Sequence, residues 1–100
     1  MTMLISASHD ATCFRIPNAA SMGDAKTLRE SVKEALKLGA RSLVIDCDSW
    51  SRLDMNVLSA LIQCAAISRE YGASFEVANV PDNILRDVRA LRLEARLGLA

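Results

Sequence analysis

Three carboxylates lie near one strand-to-helix junction, and they are the first candidates for chemistry. Asp46 ends the apolar run SLVID, Asp48 follows it, and Asp54 comes just before an apolar run that begins at Met55. Carboxylate oxygens bind divalent cations, and positioned acids can transfer protons. A small enzyme would use Asp54 with Asp46 or Asp48. In the structural alternative, Asp54 accepts backbone N–H groups at a helix start, which stabilises the helix by about 1 kcal/mol.

Other catalytic and metal-binding patterns are missing from the sequence. Cys13, Cys47 and Cys64 lie in apolar contexts, and the single histidine, His9, lies next to Asp10 at an expected hairpin turn. There is no CxxC or HxxxH pair and no glycine-rich phosphate loop. An odd number of cysteines without framework spacing indicates reduced, buried thiols in a cytoplasmic protein. We therefore expect no catalytic residue, no cofactor and no metal.

Composition limits the classes of partner. The chain has 100 residues, of which 51% are hydrophobic, and 12 basic residues balance 12 acidic ones. This length predicts a single domain over residues 1–100. A zero net charge argues against a general nucleic-acid binder and against a binder of anionic membranes. No apolar run approaches the roughly 20 residues of a membrane span, and the N-terminus lacks the basic region of a signal peptide.

Periodicity predicts an α/β fold with the element order β-β-α-β-α-β-α. The expected sheet is mixed and four-stranded, and the tail at 94–100 is expected to form a turn or a short fifth strand. The unbroken apolar run of SLVID further predicts cover on both faces of the sheet. The expected strands are 3–7, 11–16, Ser42–Asp46 and Ser74–Ala78, and the three main helices are 24–38, a second starting at 54 or 55 and ending at 71, and 81–93.

The second helix differs from an ordinary surface helix because it has no charge between Asp54 and Arg69. One apolar stripe is the expected core face, and a second apolar stripe runs beside it. Either the helix is buried almost all round, or a weakly polar face contacts a partner. We favour a partner-binding face that holds Asn56, Ser59 and Gln63. The two stripes are Leu58, Leu61, Ile62 and Ala65, and Val57, Ala60, Cys64, Ile67 and Tyr71.

The third helix and the tail carry four arginines at positions 86, 89, 92 and 96. Their spacing places the first three along one side of the helix. Such a row could dock an acidic partner or a phosphate, although it is also typical of a solvated helix face.

Four segments follow one another along almost the whole chain: MGDAKTLRESVKEAL, SLVIDCDSW, LDMNVLSAL and YGASFEVANVP. Together they resemble the STAS domain (sulfate transporter and anti-sigma factor antagonist). The family pattern has an apolar strand ending in aspartate, then an apolar residue and Asp-Ser-Ser-Gly-Leu opening a helix. A glycine, a further strand and a helix that starts at proline follow. The matching positions are Asp46, Leu53, Asp54, Leu58, Gly72, Asn79 and Pro81.

The resemblance implies a non-catalytic regulatory module that binds a protein partner through the N-terminal end of the second helix. In anti-sigma factor antagonists, a partner kinase phosphorylates a hydroxyl there, and the added charge breaks the interface. Here Met55 and Asn56 replace Ser-Ser, so Asn56 occupies the phosphoacceptor position without a hydroxyl. The resemblance thus implies a binder that is not switched at Asn56, with Ser59 as the candidate substitute phosphosite. The implied contact residues are Asp54, Met55, Asn56, Val57, Ser59, Ala60 and Gln63.

The resemblance leaves two partner classes open. The first is a serine kinase or anti-sigma factor of a bacterial signalling pathway. The second is the ATPase of a bacterial phospholipid ABC transporter, which a STAS subunit supports. An exposed apolar second helix would also favour a homodimer.

Overall fold

The computed structural model describes residues 4–7, 11–18 and 20–99, and for residues 4–7 it gives only the course of the backbone. The hairpin turn expected at 8–10 lies outside the described residues. The chain forms β1 (Leu4–Ala7), β2 (Ala11–Arg15), α1 (Met22–Lys37), β3 (Ser42–Asp46), α2 (Met55–Glu70), β4 (Ser74–Ala78), α3 (Asp82–Ala90) and a 3₁₀ turn (Ala95–Leu97).

The sheet has the strand order β1-β2-β3-β4, the same as the order along the chain. Its body is parallel and three-stranded, because β2 pairs in parallel with β3 and β3 in parallel with β4. The short β1 runs antiparallel to β2 at the edge. The α/β prediction with three helices is confirmed. No fifth strand forms within the described residues, because the tail folds into the 3₁₀ turn and buries Leu97 instead.

Only one face of the described sheet carries the core. Leu43 and Ile45 of β3 are fully buried, whereas Val44 between them is half-buried and lies outside the core cluster. Both crossovers connect neighbouring strands in the same direction across the sheet, so their right-handedness places α1 and α2 on the same face. Ile84 and Val88 of α3 join the same cluster. Cover on both faces, which the apolar run of β3 predicted, is therefore wrong.

We call the sheet face opposite the core the open sheet face. It alternates with the core face along each strand, because successive side chains of a strand point to opposite sides. Aligned by strand register, its residues are Ala11, Ser42 and Ser74 in one row, Cys13, Val44 and Glu76 in the next, and Arg15, Asp46 and Ala78 in the last.

Local signals explain the helix ends. The α1 helix starts two residues earlier than expected, because Ser21 is its N-cap and the Ser21 N–H donates to Asp24 Oδ2 at 2.9 Å. Gly39 ends α1 with a positive φ of 98°, which a residue without a Cβ adopts at little cost.

The third helix is shorter than expected. It ends at Ala90, because Arg92 has a φ of 58° and the Leu93 N–H turns back to the Val88 carbonyl. Leu91, the residue after this end, is 45% exposed, whereas Ile84 and Val88 are fully buried. None of the described helices is long and apolar enough to cross a membrane.

Candidate functional site at the start of the second helix

The α2 helix begins at a side-chain cap. Asp54 has extended backbone angles, and its Oδ1 accepts the N–H of Asn56 at 2.8 Å and that of Val57 at 3.1 Å. The Asp54 carbonyl accepts the N–H of Leu58 at 2.9 Å, which starts the regular helix. The carboxylate therefore satisfies two of the N–H groups that every helix start leaves unpaired. This is the structural role that the sequence offered for Asp54.

Both apolar stripes of α2 enter the core. Leu58 and Leu61 from the first stripe are fully buried, as are Ala60 and Cys64 from the second. The helix lies between α1 and the β4 side of the sheet and also contacts the 3₁₀ turn, so neighbours cover it on several sides. Burial almost all round, one of the two alternatives for this helix, therefore describes most of the two stripes, although Tyr71 at the end of the second stripe is 52% exposed.

A narrow uncharged strip of α2 remains outside. It consists of Asn56, Ser59, Gln63 and Ala66, which are exposed at helical spacing, and we call it the neutral strip. Met55 lies at the N-terminal end of the neutral strip and is 57% exposed. Of the contact residues expected from the sequence, Val57 and Ala60 point inward, at 1% and 0% exposure, and do not reach this strip.

A second exposed methionine stands at the same end of the molecule. Met22 is the first residue of α1 and is 67% exposed. Since α1 and α2 follow parallel strands and pack against each other, their first turns lie at the same edge of the sheet. Methionine side chains adapt their shape to a contacting surface. Met22 was not among the residues expected at this site, because its place at the same end of the molecule as Met55 depends on the packing of the two helices.

Asp46 has partners of its own on the open sheet face. Its Oδ2 accepts the Arg15 guanidinium at 3.2 Å, and its Oδ1 accepts the Asp48 N–H at 3.0 Å and Asn79 Nδ2 at 3.3 Å. The hydrogen bond from the Asp48 N–H, followed by those from Asn79 and Arg15, lowers the pKa of Asp46 against the opposing effect of burial. This carboxylate ties together the carboxyl ends of three strands, a contact that only the strand register brings about.

The three acids do not form a joint site. Asp46 and Asp54 each accept donors in different parts of the fold, and among the residues that the structure describes no three metal-ligating side chains come together. A shallow cavity of about 340 Å³ lies at the far edge of the sheet, near Arg41 and Tyr71, and none of the three acids lines it. The geometry gives no support to the enzyme alternative.

The cysteines are also poor candidates for chemistry. Burial raises the pKa of Cys47 and of Cys64 to about 12, so both thiols stay protonated at neutral pH. Cys13 is half-buried on the open sheet face, and burial, with the negative charge of Asp46, raises its pKa as well.

The chain between β3 and α2 packs its inner side against the core and makes hydrogen bonds on its exposed side. Trp50 is 1% exposed, and its indole Nε1–H meets no acceptor among the described residues. The neighbouring Ser51 is exposed and donates twice to the Asn18 carbonyl, from its N–H at 3.2 Å and from its hydroxyl at 2.9 Å. Asn83 of α3 in turn donates to the Ser51 carbonyl at 3.3 Å. This segment leads directly to the Asp54 cap.

Comparisons with known proteins agree with this architecture. A family model described as "Mlab, STAS domain" matches residues 5–99. The fold is similar to that of SpoIIAA, a Bacillus cell fate determinant solved in its phosphorylated form, with a TM-score of 0.77. That likeness covers 98% of this chain and 86% of SpoIIAA at 10% sequence identity, so it concerns the fold alone. No curated protein sequence matches the chain.

Proposed function

Because this chain belongs to the STAS domain family, we propose that it is a non-catalytic regulatory module of the bacterial cytoplasm that binds a protein partner. The contact surface is the N-terminal part of the neutral strip, Asn56, Ser59 and Gln63, together with Met55 and with Met22 at the same end of the molecule. The family and the SpoIIAA-like fold support a protein-interaction module. The unit that we propose spans residues 1–100.

The observation that carries this proposal is the exposed, uncharged outer side of a helix whose other sides are buried. Charged side chains resist removal from water, whereas amides, hydroxyls and methionines lose less when a partner covers them. Interface cores are accordingly poor in charge and enriched in methionine. Asn56, Ser59 and Gln63 also offer hydrogen-bonding groups that would fix the orientation of the partner.

The residue type at position 56 supports one of the two partner classes over the other. Its side chain is exposed at the first turn of α2 and has no hydroxyl for a kinase to modify. This favours a lasting complex, such as that of a STAS subunit with the ATPase of a bacterial phospholipid ABC transporter. A serine kinase or anti-sigma factor is the other candidate, and it would bind without being released by phosphorylation at Asn56. In that case Ser59, also exposed, is the substitute phosphosite.

The test is co-purification from the native cell with wild type, Asn56→Glu and Ala66→Glu. Both substitutions add one negative charge to the same exposed line of α2, about 15 Å apart along the helix axis. We expect Asn56→Glu to lose a protein that both wild type and Ala66→Glu retain. Equal recovery by all three would place the contact surface elsewhere.

The identity of the recovered protein then separates the partner classes. Recovery of an ABC ATPase supports the role in a phospholipid transporter, and recovery of a kinase or anti-sigma factor supports the role in a signalling pathway. If the partner is a kinase, Asn56→Ser should become phosphorylated at residue 56 when incubated with that kinase and ATP. Binding of Asn56→Ser without phosphate incorporation would contradict the assignment of position 56 as the phosphoacceptor equivalent.

A further inference from the structure

The starts of three helices meet at one exposed serine. Asn18 lies in the chain that leads into α1, Asn83 lies in the first turn of α3, and both hydrogen-bond to Ser51. Ser51 itself stands three residues before Asp54, the cap of α2. The contacts are made by the N–H, the hydroxyl and the carbonyl of a single residue.

Packing alone does not hold the outer side of this segment. Trp50 is buried and Leu53 is partly buried, so the inner side of the chain rests on the core. Ser51, Asn18 and Asn83 are all exposed, and hydrogen bonds join them. Only Arg52 and Leu53 separate Ser51 from the Asp54 cap of α2.

We propose that Ser51 is a positioning residue that fixes the first turn of α2 relative to α3 and to the chain entering α1. This inference rests on the proposed function, because the turn it fixes carries Asn56 and Met55. If Ser51 has this role, a displacement of α3 or of the chain around Asn18 also moves the turn that carries Asn56. A partner that touches either segment would thereby alter the surface offered by α2.

The experiment measures hydrogen exchange by NMR in the isolated protein, so its result does not depend on any partner. The amides observed are those of Asn56 and Val57, which donate to the Asp54 carboxylate. We expect Ser51→Ala to accelerate their exchange by about two- to tenfold, the range of one lost hydrogen bond. Ser51→Thr keeps a hydroxyl and should restore slow exchange. Asn83→Ala should act on the same amides from the α3 side.

Ser74→Ala is the matched control. It also removes one exposed serine hydroxyl bonded to a carbonyl, that of Arg41, but at the opposite edge of the sheet. It should leave Asn56 and Val57 unchanged. The proposal is overturned if Ser51→Ala exchanges like Ser74→Ala at these two amides. It is also overturned if exchange rises equally at buried amides such as that of Val32, because the serine would then only support global stability. Neither outcome bears on the partner test at Asn56.

Discussion

The two long helices lie side by side on one sheet face, have the same length of 16 residues, and differ in what they show to the solvent. The α1 helix exposes charges of both signs, at Lys26, Glu30, Lys33, Glu34 and Lys37. The α2 helix exposes only Met55 and the neutral strip before Arg69. Both helices nevertheless bury a full apolar stripe, so the difference concerns the outer surface and not the anchoring to the core.

The charged outer face of α1 favours contact with water, whereas the uncharged outer face of α2 suits contact with a partner. A mixed-charge face keeps α1 hydrated, and covering it would require every charge to find a partner. The neutral strip can be covered with few unpaired charges left behind. Two neighbouring helices of the same layer thus have different outer roles while sharing one core.

The largest expected effect is on the free energy of unfolding, and it tests whether α1 and α2 are anchored equally to the core. Leu61→Ala in α2 and Leu28→Ala in α1 each delete a side chain that is at most 1% exposed. Each should lower the free energy of unfolding by about 2–5 kcal/mol, measured by urea denaturation. A loss well below that range for Leu61→Ala alone would mean that α2 is held less firmly than α1, and the comparison would then extend to the core.

The next effect concerns how the chain enters α2. Asp46 begins that connection and accepts three groups of donors, so Asp46→Ala should cost about 1–3 kcal/mol. Because folding lowers the pKa of Asp46, its charge stabilises the fold above the unfolded value of about 3.9. That stabilisation is lost as the pH falls from there through the lower folded pKa.

The measurement is the free energy of unfolding of wild type and of Asp46→Asn between neutral and acidic pH. Asparagine cannot titrate, so the variant should be less stable at neutral pH and should approach wild type below pH of about 4. Two curves that stay parallel over this range would show that the Asp46 contacts do not depend on its charge.

The smallest effect compares the two helix starts. Asp54 accepts two helix N–H groups, whereas Asp24 of α1 accepts one N–H from the N-cap. Asp54→Ala should therefore cost about 1 kcal/mol and Asp24→Ala less, both measured by thermal or urea unfolding. Asp54→Asn retains a capping oxygen and serves as the control. Equal losses from Asp54→Ala and Asp24→Ala would remove this part of the contrast.

The sequence predicted the features that depend on neighbours along the chain. The cap at Asp54 is such a local signal, and the structure confirms it. The family resemblance is confirmed as well. The function of the neutral strip stays a prediction, because exposure alone does not identify a partner.

The features that failed or were missed depend on contacts far apart in sequence. Val44 is apolar, yet it lies on the open sheet face, because the hydrophobicity of one strand does not determine which layer covers it. The contacts of Asp46 with Arg15 and Asn79 require the register of three strands. The third helix ends before its expected bound at 93, because Arg92 turns the chain through a left-handed conformation.

The strand order bears on how the molecule forms. Every adjacent pair of strands is consecutive along the chain, so the sheet can grow from one end to the other without threading a strand between two that are already paired. The two strands of each parallel pair are joined through a helix, so they are far apart along the chain. Their pairing is therefore slower than that of a hairpin. We therefore expect the antiparallel β1–β2 pair and the individual helices, which need only local contacts, to form before the parallel strand pairs. The surface assigned to recognition is complete only once α2 packs against α1 and the sheet.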